Sequence, residues 1–420
     1  MRCLLNFAAI KILLQQNMKV ISNYSHMTIL QVMNSFFYIL IYPFVINTVG
    51  VDHYGLFVFA TSIATYFMVF INFGFDMHAA KLVSLNQTDG RLHASLLSSI
   101  TAAKILLEIL AVVVFAILIF SIDFLRNNNF LFLLCFANTL SCLFLPTWYF
   151  HGVQKMKVLT MIQLSFKLLS LPVIYFAIKG EDDITIYAAI VVFTNVLSSL
   201  VAFIVAVKMS QFSLRLPEFS SLKVLLNEVQ PFFWSTATNT LKQKSVEIII
   251  GSFFGMKELA IYDLANKIFS VPSLLASNIN AALFPIMVKK AQKNVVTKVI
   301  KIEFFVGLLC ILSVVVGGYW VVDLVSVHDM HDAYYLSILL SFNIMTFLIV
   351  GSHIYFIYVP HQRYDLVLRN QVVSVVSFYA FCSAYLMVSW SVYSVVLALM
   401  SSALLEIFYS YSLVKKVEGY

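Results

Sequence analysis

Long apolar stretches separated by short polar turns dominate this chain. They fall at about 27–49, 54–75, 96–120, 130–150, 158–178 and 185–207, and then at about 229–254, 259–287, 302–322, 333–357, 366–388 and 391–414. An apolar run of about 20 residues matches the hydrocarbon core of a bilayer, so each stretch predicts one transmembrane helix. The expected fold is an all-α polytopic membrane protein of about 12 transmembrane helices. Connections are too short to build a soluble core of their own, so any chemistry takes place in or beside the bilayer.

A weak internal repeat organises the helices. Gly50–Ile63 overlays Gly255–Ile268 without a gap, with Gly50/Gly255, Ala60/Ala265 and Ile63/Ile268 identical. Both segments join a first to a second span of six, which predicts two pseudo-symmetric six-helix bundles around a central cleft. The expected division is an N-terminal tail over 1–26, a first lobe over 27–209, a linker over 210–228 and a second lobe over 229–420.

Composition agrees: of 420 residues 61% are apolar and 11% charged, and mean hydropathy is +0.91. An ordinary soluble domain, a disordered chain and a collagen are excluded. The surplus of 27 Lys and Arg over 20 Asp and Glu is spread between spans instead of gathered in a nucleic-acid patch. Nineteen of the basic residues fall in the tails and alternate connections on one side, and only Arg126, Lys179 and Lys257 on the other. Basic loops stay in the cytoplasm, so both termini are expected inside. Met18-Lys19 offers an alternative start to Met1. The five cysteines, scattered and without a Cys-x-x-Cys pair, read as small core residues.

Five lysines remain inside spans: Lys104, Lys167, Lys242, Lys244 and Lys267. A mid-bilayer charge costs about 2.5–3.5 kcal/mol on insertion scales, so each needs a partner or a wet cavity. On the seventh span Thr236, Asn239, Thr240, Gln243, Lys244 and Glu247 share one helical face, and on the eighth Asp263, Asn266, Lys267 and Ser270 do the same. The first span repeats the pattern with Gln31, Asn34, Ser35, Tyr38 and Tyr42. The functional reading is a cationic, hydrogen-bonding cavity for an anionic, hydroxyl-rich substrate. Its binding candidates are Lys242, Lys244, Lys267, Lys104, Lys167, Asn239, Gln243, Gln31 and Asn34, with Asp263 and Glu247 as ion-coupling candidates. The structural reading is that Asp263 with Lys267, and Lys104 with Glu108, are four-apart pairs that neutralise each other. Prolines 43, 146, 172, 272, 285 and 360 lie in or at the ends of spans, as static kinks or hinges.

Enzyme signatures are missing from the sequence. No Gly precedes a Lys, which removes a phosphate-binding P-loop, and no His-Glu-x-x-His zinc motif occurs. The segment His328, Asp329, Met330, His331, Asp332 reads as a solvated acidic loop before it reads as a metal site. No enzyme activity, cofactor or metal is expected.

At Tyr42-Pro43, Thr48-Val49-Gly50, Tyr54-Gly55-Leu56-Phe57 and Phe73-Gly74-Phe75 the chain resembles the Wzx (RfbX-type) O-antigen and polysaccharide repeat-unit flippases. The resemblance continues through Lys81, Lys104 and Pro146-Thr147-Trp148-Tyr149-Phe150-His151-Gly152 with Lys155-Met156, and returns from Gly255 through Lys267 to Phe284-Pro285. His151 departs from the family's usual Gln. The resemblance implies the two-lobed fold of the multidrug/oligosaccharidyl-lipid/polysaccharide exporter superfamily, like a MATE transporter, in a bacterial inner membrane. It also implies an undecaprenyl-pyrophosphate-linked oligosaccharide as substrate, with the lipid bilayer, a polysaccharide polymerase and a chain-length regulator as partners. Two alternatives are a multidrug exporter of that superfamily, whose cleft would favour acids for cationic drugs, and a membrane polysaccharide polymerase or ligase, which would display a large outer loop.

Overall fold

The computed structural model describes residues 28–34, 37, 40–87, 89–210, 219–287, 293–325 and 330–417, and no β-strand occurs among them. The first pass, α1, is helical at 28–34 and 37 and continues as the apolar helix Leu40–Val49. The second is α2 (Val51–Asn72) and α3 (Phe75–Leu85), bent at Phe73-Gly74. After α4 (Gly90–Ser121) and the short α5 (Asp123–Asn127), the fourth pass is broken into α6 (Asn129–Phe136), α7 (Thr139–Phe144) and α8 (Thr147–Gly152). Then come α9 (Met156–Ala177) and α10 (Ile184–Met209).

The second half follows the same order. It contains α11 (Phe219–Phe253), α12 (Met256–Met287), α13 (Lys293–Val325), the broken pass α14 (Asp332–Ser341) and α15 (Asn343–His353) with a π-helical turn Ile354–Tyr358, then α16 (Tyr364–Val388) and α17 (Val392–Val414). Among the described residues nine segments are long and apolar enough to cross a membrane. At 35 and 32 residues, α11 and α12 also have the length to cross, while carrying Lys242, Lys244, Glu247, Asp263 and Lys267 among their apolar residues. With α1 they complete twelve passes.

The repeat is visible in backbone geometry. Gly50 (φ +83°) and Gly255 (φ +100°) sit at equivalent junctions, each adopting a conformation that a Cβ disfavours. Each then accepts the first helical bond of the next pass, from Tyr54 and Leu259 respectively, both at 3.2 Å. The broken passes end alike as well. Gln154 (φ 56°) and Gln362 (φ 58°) are left-handed, and the following Lys155 and Arg363 amides reach back five residues to Phe150 and Tyr358, each at 2.8 Å. These are six-to-one closures that satisfy terminal carbonyls.

Burial is inverted relative to a soluble protein. Phe176, Phe408 and Met387 stand exposed, whereas Ser62, Ser337, Ser352, Ser402 and Asn370 are buried. The first group suits a lipid-facing surface; helix contacts need the second, because small hydroxylated residues let backbones approach without a hydrophobic driving force. Ser394, Ala398 and Ser402 place such a strip on the buried face of α17, which packs on α16.

The halves meet mainly where α2 packs along α11 and α12. Near the Gly50/Gly255 end the Tyr42 hydroxyl donates to the Ala260 carbonyl at 2.9 Å. Towards the other end Phe73 stacks on Phe233, with centroids 4.4 Å apart. Gly74 is required there, since a Cβ would lie 2.6 Å from the Phe233 nitrogen.

Two sequence expectations change. The linker expected over 210–228 is helical from Phe219 onward, because Leu222, Leu225 and Val229 form a buried stripe against the cluster containing Phe75 and Val83. The passes expected as single helices at 130–150 and 333–357 are interrupted, the former at Ala137-Asn138 and again at Leu145-Pro146, where proline has no backbone donor. The tail 1–26, the alternative start at Met18, and the His328 and Asp329 part of the acidic loop lie outside the described residues.

Candidate functional site

A cavity of about 580 Å³ lies within the second half. Its walls come from α11, α12, the broken pass α14–α15 with its π turn, α16 and α17. Asn239, Lys242, Gln243, Lys244 and Glu247 of α11 line it, facing Asn266, Ser270 and Ser273 of α12, Asn343 and Thr346 of α15, Gln371 of α16 and Glu406 of α17. Such a wall of amides, hydroxyls and charges in a membrane helix bundle implies water or a polar ligand.

Its two ammonium groups are held by carboxylates. Lys242 Nζ donates to Ser374 Oγ at 2.5 Å, Ser374 donates to Glu406 Oε2 at 2.5 Å, and Lys242 lies 3.5 Å from the same carboxylate oxygen. Asn370 Nδ2 donates to the other Glu406 oxygen at 3.2 Å. The contacts run continuously from cation to anion through Ser374. Lys244 Nζ bridges both oxygens of Glu247 at 2.7 and 2.8 Å, and Ser62 of α2 donates to Glu247 as well. Low dielectric strengthens each pair but charges a desolvation penalty against it, so these pairs fix geometry more than they stabilise the fold. An anionic ligand could take over the ammonium groups, leaving the carboxylates with Ser374, Asn370 and Ser62.

Among the described residues, the lysines expected to share one cationic cavity differ from that expectation in two ways. First, the charges of Lys242 and Lys244 are balanced by Glu406 and Glu247. Second, the remaining lysines lie elsewhere. Lys267 pairs with Asp263 one turn away, donates to the Tyr54 hydroxyl at 2.5 Å, and lies 4.9 and 5.1 Å from the ring centroids of Tyr42 and Tyr54. This group belongs to the seam between halves. The eighth-span stripe splits because residues three apart are offset around a helix: Asn266 and Ser270 face the cavity, while Asp263 and Lys267 face α1 and α2. The ion-coupling candidates Asp263 and Glu247 are thus both engaged by lysines.

The first-half candidates form two separate places. Lys104 is buried in the core, donating to the Cys142 carbonyl at 3.0 Å, while Glu108 accepts from Thr139 at 2.6 Å. The four-apart pairing expected for them is not made, because each turns to the broken fourth pass instead. Lys167 of α9 donates to Asn34 of α1 at 2.7 Å and lies 5.5 Å from the Phe37 ring centroid, beside a small apolar crevice of about 150 Å³. Gln31, half-buried, is one turn before Asn34 on the same helix.

Sequence reasoning missed Ser374, Asn370 and Glu406. Glu406 carried a usable signal, being the sole acid within the apolar run of α17.

Comparison with known proteins completes the picture. A family model described as "Polysaccharide biosynthesis protein" matches residues 20–291. Over 301 residues, 71% of either chain, the sequence is 24% identical to an Escherichia coli (strain K12) protein described as a "Putative O-antigen transporter". Among solved structures, the lipid II flippase MurJ in an inward closed conformation matches with a TM-score of 0.65 at 12% identity, covering 95% of this chain and 87% of that one. An outward-facing multidrug resistance MATE family transporter of the MOP superfamily matches with a TM-score of 0.59 at 12% identity, covering 96% and 97%. The fold is theirs.

Proposed function

Because this chain belongs to the polysaccharide biosynthesis protein family, we propose that it is a flippase that carries undecaprenyl-pyrophosphate-linked repeat units from the cytoplasmic to the periplasmic leaflet. The observation that supports this most is the polar cavity of the second half. It presents Lys242 and Lys244 to an anion and a surround of Asn, Gln and Ser side chains to sugar hydroxyls. The O-antigen transporter relative and the lipid II flippase neighbour point to the same cargo chemistry.

In this reading the basic connections face the cytoplasm and both termini are inside. Two lobes, 27–209 and 229–420, rock about the seam formed by α2, α11 and α12. The diphosphate exchanges with Glu406 and Glu247 on the two ammonium groups, and the polyprenyl tail stays in lipid. An inside-negative potential favours outward movement by about 2.3 kcal/mol per negative charge per 100 mV. A polymerase and a chain-length regulator act on the delivered units.

The test uses variants that remove charge in pairs, so that no orphan charge remains to unfold the helix bundle. K242Q/E406Q and K244Q/E247Q are expressed in a strain lacking this gene, and surface polysaccharide and drug tolerance are both measured. Loss of display with normal membrane levels and unchanged drug tolerance is expected. Full display by both variants overturns the cavity assignment; altered drug tolerance with intact display favours a multidrug exporter.

A further inference from the structure

Glu303 of α13 is buried at 1% exposure and makes no ion pair with any described residue. Its Oε1 has no hydrogen-bond partner among the described residues, and its Oε2 lies against Ser352 Oγ of α15. Ser352 Oγ is also 3.1 Å from Asn280 Oδ1 of α12. The orientation of that amide is fixed, because Asn280 Nδ2 lies 3.1 and 3.0 Å from the Phe347 and Leu348 carbonyl oxygens, which only an NH₂ group can satisfy.

A serine hydroxyl has one proton, yet here it meets two acceptor oxygens. With Glu303 ionised, one of those contacts sets lone pair against lone pair in a buried site. Placing a proton on Glu303 Oε2 removes the conflict: the carboxyl donates to Ser352, Ser352 donates to Asn280, and Asn280 donates to the α15 backbone. The geometry points to Glu303 as a proton-binding site whose occupancy decides whether α12 and α15 are joined through Ser352 and Asn280.

Among the described residues, the surroundings supply no charge that would hold the ionised form. Of the helices packed on α13, α12 offers Asn280. From α15 come Ser352 and His353, and His353 Nδ1 is engaged with Ser410 of α17. At the start of α14, Asp332 accepts from Tyr393, and Glu406 of α17 is taken by Lys242 and Ser374. On α13 itself Lys298 and Lys301 are exposed. Gly351 is part of the device, since a Cβ there would lie 2.5 Å from Asn280 Nδ2.

The site is placed to act on the cavity. Gly351, Phe347 and Val350, next to Ser352 on α15, line it. Loss of the proton turns the Ser352 hydroxyl to the carboxylate, removes the donor from Asn280 and loosens the wall formed by α12 and α15. Glu108 with Thr139 and Glu247 with Ser62 have related arrangements, since Thr139 also meets the Phe136 carbonyl and Ser62 the Val58 carbonyl; but Glu247 carries Lys244 on both oxygens, which Glu303 lacks, and neither partner of Glu108 lines this cavity. Coupling to cargo rests on the flippase reading above, whereas the proton site does not.

The test uses the full chain in nanodiscs without cargo. Infrared spectroscopy near neutral pH is expected to show a protonated-carboxyl C=O band that is absent from E303Q, so that it stands out in the wild-type-minus-E303Q difference, and that is shifted, not abolished, in S352A. Hydrogen exchange over residues 346–358 is expected to accelerate at alkaline pH severalfold beyond the base-catalysed rise of intrinsic exchange in the wild type, with no such excess in E303Q, whose amide mimics the protonated acid. An unchanged band in E303Q overturns the site. Identical alkaline acceleration in E303Q overturns its link to α15. Both readouts stand even if cargo transport proves to be a different activity.

Discussion

Gly55 of α2 and Met256 of α12 touch backbone to backbone: a Cβ at position 55 would sit 1.9 Å from the Met256 carbonyl oxygen. Neither partner is a side chain that can swing away, so the two helices must separate to admit even a methyl group. Gly55→Ala is expected to cost about 1–3 kcal/mol by overpacking. Thermal unfolding of the purified protein should show a lowered midpoint, and an unchanged midpoint would mean that the two helices part easily.

The seam group of Lys267, Asp263 and Tyr54 should behave as a unit. Lys267→Ala leaves Asp263 as a buried charge with only the Tyr54 hydroxyl, at 2.9 Å, and is expected to cost about 3–5 kcal/mol. Replacing both charges, as D263N/K267M, should cost clearly less than the sum of the single changes. A double-mutant cycle on unfolding free energy measures this, and strict additivity would show that the pair is not coupled.

Gln154 and Gln362 hold the left-handed positions that close the two broken passes. A side chain there costs roughly 1–2 kcal/mol per residue, which glycine avoids. Gln154→Gly and Gln362→Gly are each expected to stabilise by up to about 1 kcal/mol once the greater freedom of unfolded glycine is offset. The melting temperature checks this, with Gln→Ala at the same positions giving no such gain.

The charge stripes were only partly legible because a helical face is a local property, whereas the neighbour it meets is not. Asn239, Gln243 and Lys244 do share a cavity wall, as their spacing implies. Lys267 has equally good spacing, yet it meets Tyr54, more than two hundred residues earlier, since α12 lies between the cavity and the first half. Lys104 and Glu108 are four apart, but the unwound fourth pass offers a carbonyl and a hydroxyl that compete successfully for them. Glu303 was invisible as chemistry: an acid in an apolar run shows burial, and only the two acceptors around Ser352 show a missing proton.

The sequence by itself determined the helical membrane class, the passes and the duplication, because bilayer thickness and backbone satisfaction leave an apolar chain few options. Gly50 and Gly255 mark that duplication in both descriptions. Tertiary structure alone decided which polar groups face a common space, since that depends on the rotation and contact of helices distant in the chain. Among the described residues, the cavity that holds Lys242 and Lys244 is lined by the second half alone, with its ammonium groups answered by carboxylates, and the seam holds a separate charge pair.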